Sequence, residues 1–373
     1  MRSCGPLLAI FALALAGCGD DSDGRGSAGQ SGSASATITI GTLTASDTGA
    51  PTTGASASSG DAATGDASTA TSQSVDDGDD GSDASAGPKF DVAKIPDGGA
   101  PLPDTGCKKV DLLFVIDDSG SMADEQIHLV QSFPEFVAEM QTQLADAESY
   151  HVGVITSDAY PFNVGNCVLP GALVTQTGGT DSSNAVCGPF ASGKRFMSEA
   201  DMLGPKFGCA GQVGTMGAGN EQPMFTLAQA LTPAINAPGA CNDGFIREDA
   251  LLVVVLITDE EDDHEVDGCL QDPQSGSPGE PADWFNAVVA AKGGVETNIV
   301  TLALVGPQNP ACPALDKCSG GIQGAEVATR VLQFTQMFTY GSVGQICAAS
   351  YKQFFSAAIS VIDSACENFM PPG

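Results

Sequence analysis

Basic residues are scarce in this chain: 14 Lys and Arg stand against 46 Asp and Glu, a formal net charge of −32 over 373 residues. A surface of that sign repels phosphate, which argues against a nucleic-acid binder and against direct contact with anionic lipid headgroups; it suits cations or basic partners. Histidine is nearly missing, with only His128, His151 and His264 available to any triad chemistry. No Cys-x-x-Cys pair occurs among the 12 cysteines, so neither structural zinc nor thioredoxin-type redox chemistry finds support. Beyond the N-terminus no apolar run approaches the roughly 18 residues that a membrane-spanning helix needs, which argues against a transmembrane protein.

What is present begins with an export signal. Arg2 precedes a short apolar run in MRSCGPLLAIFALALAGC, the first 18 residues, too short to span a bilayer comfortably. Its end, Leu15-Ala16-Gly17-Cys18, resembles a bacterial lipobox. That resemblance implies cleavage after residue 17, a lipidated Cys18 as first mature residue, and diacylglycerol and a further acyl chain (palmitate) on it. Two or more chains are what stable anchoring requires. Gly19 in place of an aspartate implies the outer membrane of a Gram-negative bacterium rather than retention at the inner one. Residues 18–106 follow as a stalk: from residue 19 it holds 14 Asp, three basic residues and one aromatic, Phe90, in a Gly, Ser, Ala and Thr background. Such a composition cannot bury enough apolar surface to offset the entropy of ordering, so the expectation is a disordered, self-repelling tether.

From Cys107 the composition changes, and ten of the 12 cysteines lie in 107–373. An exported domain with that even number suggests up to five disulfides. Val110–Ile116 is nearly continuous apolar sequence, the mark of a strand buried on both faces. Val130, Phe133, Val137, Met140 and Leu144 then recur at helical spacing, with Pro134 expected to kink or divide the helix. Tyr150–Thr156 and Leu251–Thr258 are further strands, as is Asn298–Val305. Helices are expected from Pro223 to Leu231, from Trp284 to Ala291, and around 325–337 and 348–365. Between the second strand and the helix at 223 lies an irregular, Cys-containing insertion at about 157–221. Strands alternating with helices imply an α/β fold, a doubly wound, mostly parallel sheet flanked by helices. Ligands of such sheets bind beyond the carboxyl ends of the strands.

Both acidic turns fall there. Phe114-Val115-Ile116 runs into Asp117-Asp118-Ser119-Gly120-Ser121, and Ile257-Thr258-Asp259 opens the acidic run at 259–268. Magnesium takes about six oxygens in an octahedron and retains waters, so two hydroxyls with one or two carboxylates make a suitable cradle. Alternate residues of the turn can aim Ser119 and Ser121 at one point while Asp118 looks away, and Gly120 permits a tight path. Asp117-x-Ser119-x-Ser121 after a buried first strand, with the later Ile-Thr-Asp, resembles the metal-ion-dependent adhesion site of von Willebrand factor type A domains. The resemblance covers about 107–366, apart from the insertion. It implies Ser119 and Ser121 as direct ligands of Mg²⁺ (or Mn²⁺ or Ca²⁺), with Asp117 and Asp259 largely accepting from hydroxyls and waters. The family also has a distant threonine before a helix ending in Ala-Leu. Here that helix ends in Ala230-Leu231 but Glu221 stands at its start, and Thr215 lies several residues earlier; either Thr215 or Glu221 could complete the site.

These features imply a noncatalytic module that binds a protein or peptide partner, whose Asp or Glu completes the coordination. A metal-assisted hydrolase and a structural envelope protein with a vestigial site are the alternatives. Other readings fail on chemistry. Asp118-Ser119-Gly120 and Asp104-Thr105-Gly106 resemble aspartic-protease loops, yet they lie 14 residues apart, far too close for two lobes that share a proton. Ser119 or Ser121 as a nucleophile would need a histidine, and His264 near Asp259 is better explained by a solvated loop. The acidic run lacks the glycine and terminal glutamate of an EF-hand and is expected to concentrate cations near Asp259. Cys347 and Cys366 flank a helix about 28 Å long, beyond bridging distance. Cys366 therefore needs another partner, and the terminus-closing bridge of some type A domains implies Cys107. Cys312 and Cys318 bracket a loop and are expected to pair locally.

Overall fold

The computed structural model describes residues 106–143, 147–262, 276–308, 312–315 and 323–371. The signal peptide at 1–17, Cys18, the stalk, Leu144, His264, the acidic positions 263–268 and Cys318 lie outside the described residues.

Six strands form one sheet: β1 (Lys109–Ile116), β2 (Ser149–Thr156), β3 (Met197–Ser198), β4 (Leu251–Ile257), β5 (Ile299–Val305) and β6 (Tyr340–Gln345), in the order β3-β2-β1-β4-β5-β6. All pairings are parallel except that of the two-residue β3 with β2. The helices are α1 (Ala123–Gln143), α2 (Leu203–Ala210), α3 (Pro223–Ala230), α4 (Pro233–Asn236), α5 (Pro281–Ala291), α6 (Thr329–Gln336) and α7 (Lys352–Glu367). The architecture is a doubly wound α/β sheet.

The continuous apolar runs have a direct cause. Side chains alternate across a strand, and both faces of this sheet are covered. Leu112, Phe114 and Ile116 pack with α1, α2 and α7 around Phe133, Phe136, Phe207 and Phe355. Leu113 and Val115 pack with α3, α5 and α6 around Leu227, Trp284 and Phe334. Burying a side chain such as Phe114 contributes about 1.5–3 kcal/mol.

At the amino end of the sheet the one polar residue of the first run is locked in place. Asp111 is fully buried and accepts from Arg247 Nε at 2.7 Å and from the Arg247 backbone N–H at 2.7 Å. Burial nevertheless outweighs this partner and pushes the Asp111 carboxyl up to about 6. His151 Nδ1 lies 2.8 Å from the Phe245 carbonyl oxygen, and burial lowers its imidazole to about 4.

Two expectations are corrected. Helix α1 runs through Pro134 undivided, because Pro134 sits on the exposed side, where the carbonyl that loses its donor can turn to water. Cys312 bonds to Cys347 and not to Cys318. The parallel register of β5 with β6 places Val305 beside Gln345, so the loops leaving the two strands emerge together and carry Cys312 to Cys347. Cys107 bonds to Cys366, while Cys167–Cys241 and Cys187–Cys209 brace the insertion. Among the described residues no helix is long and apolar enough to cross a membrane.

Candidate functional site

The turns after β1, β2 and β4 meet at the carboxyl end of the sheet. Asp117 begins the first turn, its backbone N–H donating to the Ile257 carbonyl at 2.9 Å. Its carboxylate organises the loop: Oδ1 accepts from the Ser119 N–H at 2.9 Å and from Ser157 Oγ at 3.2 Å, and Oδ2 accepts from Thr258 Oγ1 at 2.6 Å. Burial pushes the Asp117 carboxyl up, and these three donors pull against it. With both oxygens engaged, Asp117 holds its neighbours in position.

Ser119 Oγ and Ser121 Oγ stand 3.1 Å apart. Ser121 Oγ is also 3.1 Å from Asp259 Oδ1 and 3.2 Å from Glu260 Oε1. A hydroxyl has one proton, so Ser121 cannot donate to both carboxylates at once. Asp259 Oδ2 is buried without a hydrogen-bond partner, as is Glu221 Oε1. Buried polar atoms are paired in the great majority of native sites, and these two oxygens are exceptions to it. Burial, then the charges of Asp117 and Glu260, push Asp259 up to about 9 and Glu221 up to about 11. Nearby at the start of α1, burial and Asp124 raise Glu125 to about 8.

The expected residues divide as follows. Asp117, Ser119, Ser121 and Asp259 come together. Glu221 joins them electrostatically, at the head of α3, with the Gln222 N–H donating to the Ser157 carbonyl at 3.0 Å. Thr215 is turned elsewhere: its hydroxyl donates to Asp181 at 2.9 Å. Asp118 faces the insertion, its carboxylate 3.3 Å from Ser157 Oγ and its carbonyl accepting from the Gly217 N–H at 2.7 Å. Gly217 has to be glycine here, because a Cβ would stand 2.5 Å from Asp118 Cγ.

Ser157, Thr258, Glu260 and Gln126 were not singled out in the sequence. Ser157 and Thr258 had a signal, since Ile155-Thr156-Ser157 and Ile257-Thr258-Asp259 each end a buried strand in hydroxyl residues. Gln126 had none: its amide bonds both the Asp117 carbonyl and Gly214, tying α1 to the insertion. The described part of the acidic run, 259–262, is tied to two helices. The Glu261 carboxylate accepts the Arg330 N–H in the first turn of α6 at 2.9 Å, and Asp262 accepts the Met224 N–H in the first turn of α3 at 2.9 Å. Both act as helix caps supplied from a distant loop.

Among the described residues no three His, Cys, Asp or Glu side chains are gathered as a ready metal cage. A cation here would rest on the paired hydroxyls with Asp259 and its neighbours. A hollow of about 380 Å³ lies beside this region, lined in part by Pro307, Leu315, Ala325 and Glu326; the Glu326 N–H donates to the Asp259 carbonyl at 2.7 Å.

Fold and site together define an open α/β domain with a hydroxyl and carboxylate cluster where its central strands end. No known protein family matches the sequence, and no curated protein matches it. Among solved structures, proximal thread matrix protein 1 from the mussel byssus is similar, with 15% sequence identity and a TM-score of 0.35 over 70% of this chain. The match takes in 49% of that structure, so the chain spans about half the length of the protein it resembles, and likeness at this level carries no argument about function.

Proposed function

We propose that residues 107–373 form a von Willebrand factor type A-like domain that binds a protein or peptide partner through a divalent cation, Mg²⁺ or a similar ion. The observation that carries this reading is the shortage of donors: buried Asp259 Oδ2 and Glu221 Oε1 lack partners beside two hydroxyls already placed 3.1 Å apart. When bound, the ion supplies positive charge to these oxygens and an open coordination position for an outside carboxylate. Ser119 and Ser121 would hold it directly, the Ser121 hydroxyl turning its proton toward Asp259 or Glu260. Asp117, fixed by Ser119, Ser157 and Thr258, keeps the loop in the shape that presents both hydroxyls. Glu221 is the better placed companion, since the Thr215 hydroxyl is committed to Asp181.

Two hydroxyls and a few carboxylates gathered about one ion suit recognition of an outside carboxylate, which is the reading we favour over turnover. Lipidation at Cys18 and the acidic stalk would place the domain outside a membrane, at the outer membrane of a Gram-negative cell envelope. Selection of peptides on the immobilised full chain tests the partner class. Sequences recovered in Mg²⁺ but not in chelator should be enriched in Asp or Glu, and recovery indifferent to chelator would sink the proposal.

A further inference from the structure

The hollow of about 380 Å³ that follows β5 has an apolar lining in Pro307, Ala314, Leu315, Ala325 and Val327. Its wall at 325–328 is held by three backbone bonds. The Ala325 N–H donates to the Pro313 carbonyl at 2.8 Å, that of Glu326 to Asp259 at 2.7 Å and that of Ala328 to Gly306 at 3.1 Å. Gly306 has to be glycine for this, because a Cβ would overlap the Glu326 carbonyl. Cys312, also in the lining, is bonded to Cys347 just beyond β6. A wall fixed at so many points is formed before any ligand arrives, which spares the ligand the entropy of ordering it.

Asp259 joins this hollow to the cluster at the strand ends. Its carboxylate stands 3.1 Å from Ser121 Oγ, while its carbonyl accepts from Glu326, a residue of the hollow. The charge around the hollow narrows what can enter it. Among the described residues its one carboxylate is that of Glu326, which already accepts the Glu261 N–H at 3.0 Å. An acidic side chain would meet that charge with no ion to neutralise it, and a basic one would leave water for a mostly apolar lining. An uncharged apolar side chain incurs neither cost.

We propose that the hollow is a second subsite for the same partner, taking an apolar side chain such as Leu or Phe that lies within two residues of the carboxylate at the ion. The proposal rests on the cation-binding reading above and adds the choice among acidic peptides. In an extended peptide, side chains two positions apart fall on one side about 7 Å from each other, a step that matches two sites joined through a single residue. The volume is at the small end for ligand pockets, suited to one side chain rather than to a folded element. Burying such a side chain is worth roughly tenfold to a hundredfold in affinity.

An array of synthetic peptides probed with the full chain in Mg²⁺ tests the subsite. The frame is Gly-Gly-Asp-Gly-Gly, with one glycine at a time replaced by Leu, Phe, Lys or Glu. Binding of the frame reports the ion and should vanish in chelator. Leu or Phe at one position should raise affinity at least tenfold, and Lys or Glu there should not. Ala314 is exposed, so Ala314→Phe fills the hollow from outside and should abolish that gain while chelator-sensitive binding of the frame persists. Leu315→Ala enlarges the hollow and should shift the preference from Leu toward Phe, a change that mere damage to the fold does not produce. Chelator-sensitive binding indifferent to the apolar side chain, or a preference unchanged in both variants, would overturn the subsite and leave the cation reading standing. Binding indifferent to chelator, or none to any peptide, would overturn both.

Discussion

Replacing Asp259 by asparagine removes one negative charge and leaves the shape and the Oδ1 acceptor for Ser121 in place. In the metal-free protein Asp259 must either keep its charge beside Asp117 and Glu260 in a fully buried site or take up a proton. Protonation at pH 7 of a carboxyl with an ordinary value of 3.8 costs about 1.4 kcal/mol per pH unit, roughly 4 kcal/mol in all. That figure is a ceiling, since the folded chain takes whichever alternative is cheaper. Asparagine bears neither cost, so Asp259→Asn should be the more stable protein in chelator by about 1–4 kcal/mol, a rise in Tm of several degrees for a domain this size. In Mg²⁺ the order should close or reverse. Wild type gains RT ln(1 + [L]/Kd), about 2.7 kcal/mol at a hundredfold excess over Kd, while the variant, short of one carboxylate, gains little. Scanning calorimetry of both proteins, with chelator and with Mg²⁺, reads all four values. An asparagine variant that is no more stable in chelator, together with equal Mg²⁺ shifts in the two proteins, would refute the reasoning.

Other outcomes follow from residues away from that carboxylate. The folded value of His151, about 4, lies below its ordinary 6.5, so its contribution is intact above 6.5 and lost as pH falls toward 4. Asp111, raised to about 6, acts with the opposite sign, its contribution falling as pH rises from 3.8 to 6; the readout is therefore a difference. His151→Phe should remove roughly 2–3 kcal/mol of acid-linked loss relative to wild type in urea titrations across that window. Arg247→Met would strand the buried Asp111 carboxylate and should cost about 3–5 kcal/mol by chemical denaturation. Asp262→Ala uncaps α3 and should cost about 1–2 kcal/mol, with faster hydrogen exchange concentrated at Met224 and Phe225. Non-reducing peptide maps should yield a Cys312–Cys347 fragment, and a Cys312–Cys318 fragment in its place would contradict the β5–β6 register.

Much of this architecture is written in local pattern. β1, β4 and β5 are buried on both faces, so nearly every position is apolar and the runs stand out; α1 shows its core face at helical spacing. β6 escapes notice because an edge strand of glycine, serine and glutamine needs no such pattern: its register comes from β5. Helix α2, Leu203–Ala210, lies inside the insertion and contains two glycines and a proline, so propensity argued against it while packing of Phe207 against Phe114 and Phe133 secures it. The site divides the same way. Asp117, Ser119, Ser121 and Asp259 lie in two short turns whose spacing carries meaning, whereas choosing between Thr215 and Glu221 depends on where Asp181 and Ser157 sit after folding. The pairing of Cys312 with Cys347 likewise follows from strand register, which spacing within one loop does not encode.

The central claim is that Ser119 and Ser121, backed by Asp259, hold a divalent cation. Isothermal titration of the chelator-stripped full chain with Mn²⁺ and Mg²⁺, beside the variant Ser119→Ala/Ser121→Ala, addresses it directly. The account predicts saturable uptake of one ion by wild type and its loss in the variant, with the fold kept as judged by circular dichroism. Equal uptake by the two proteins, or no uptake by either, would contradict it.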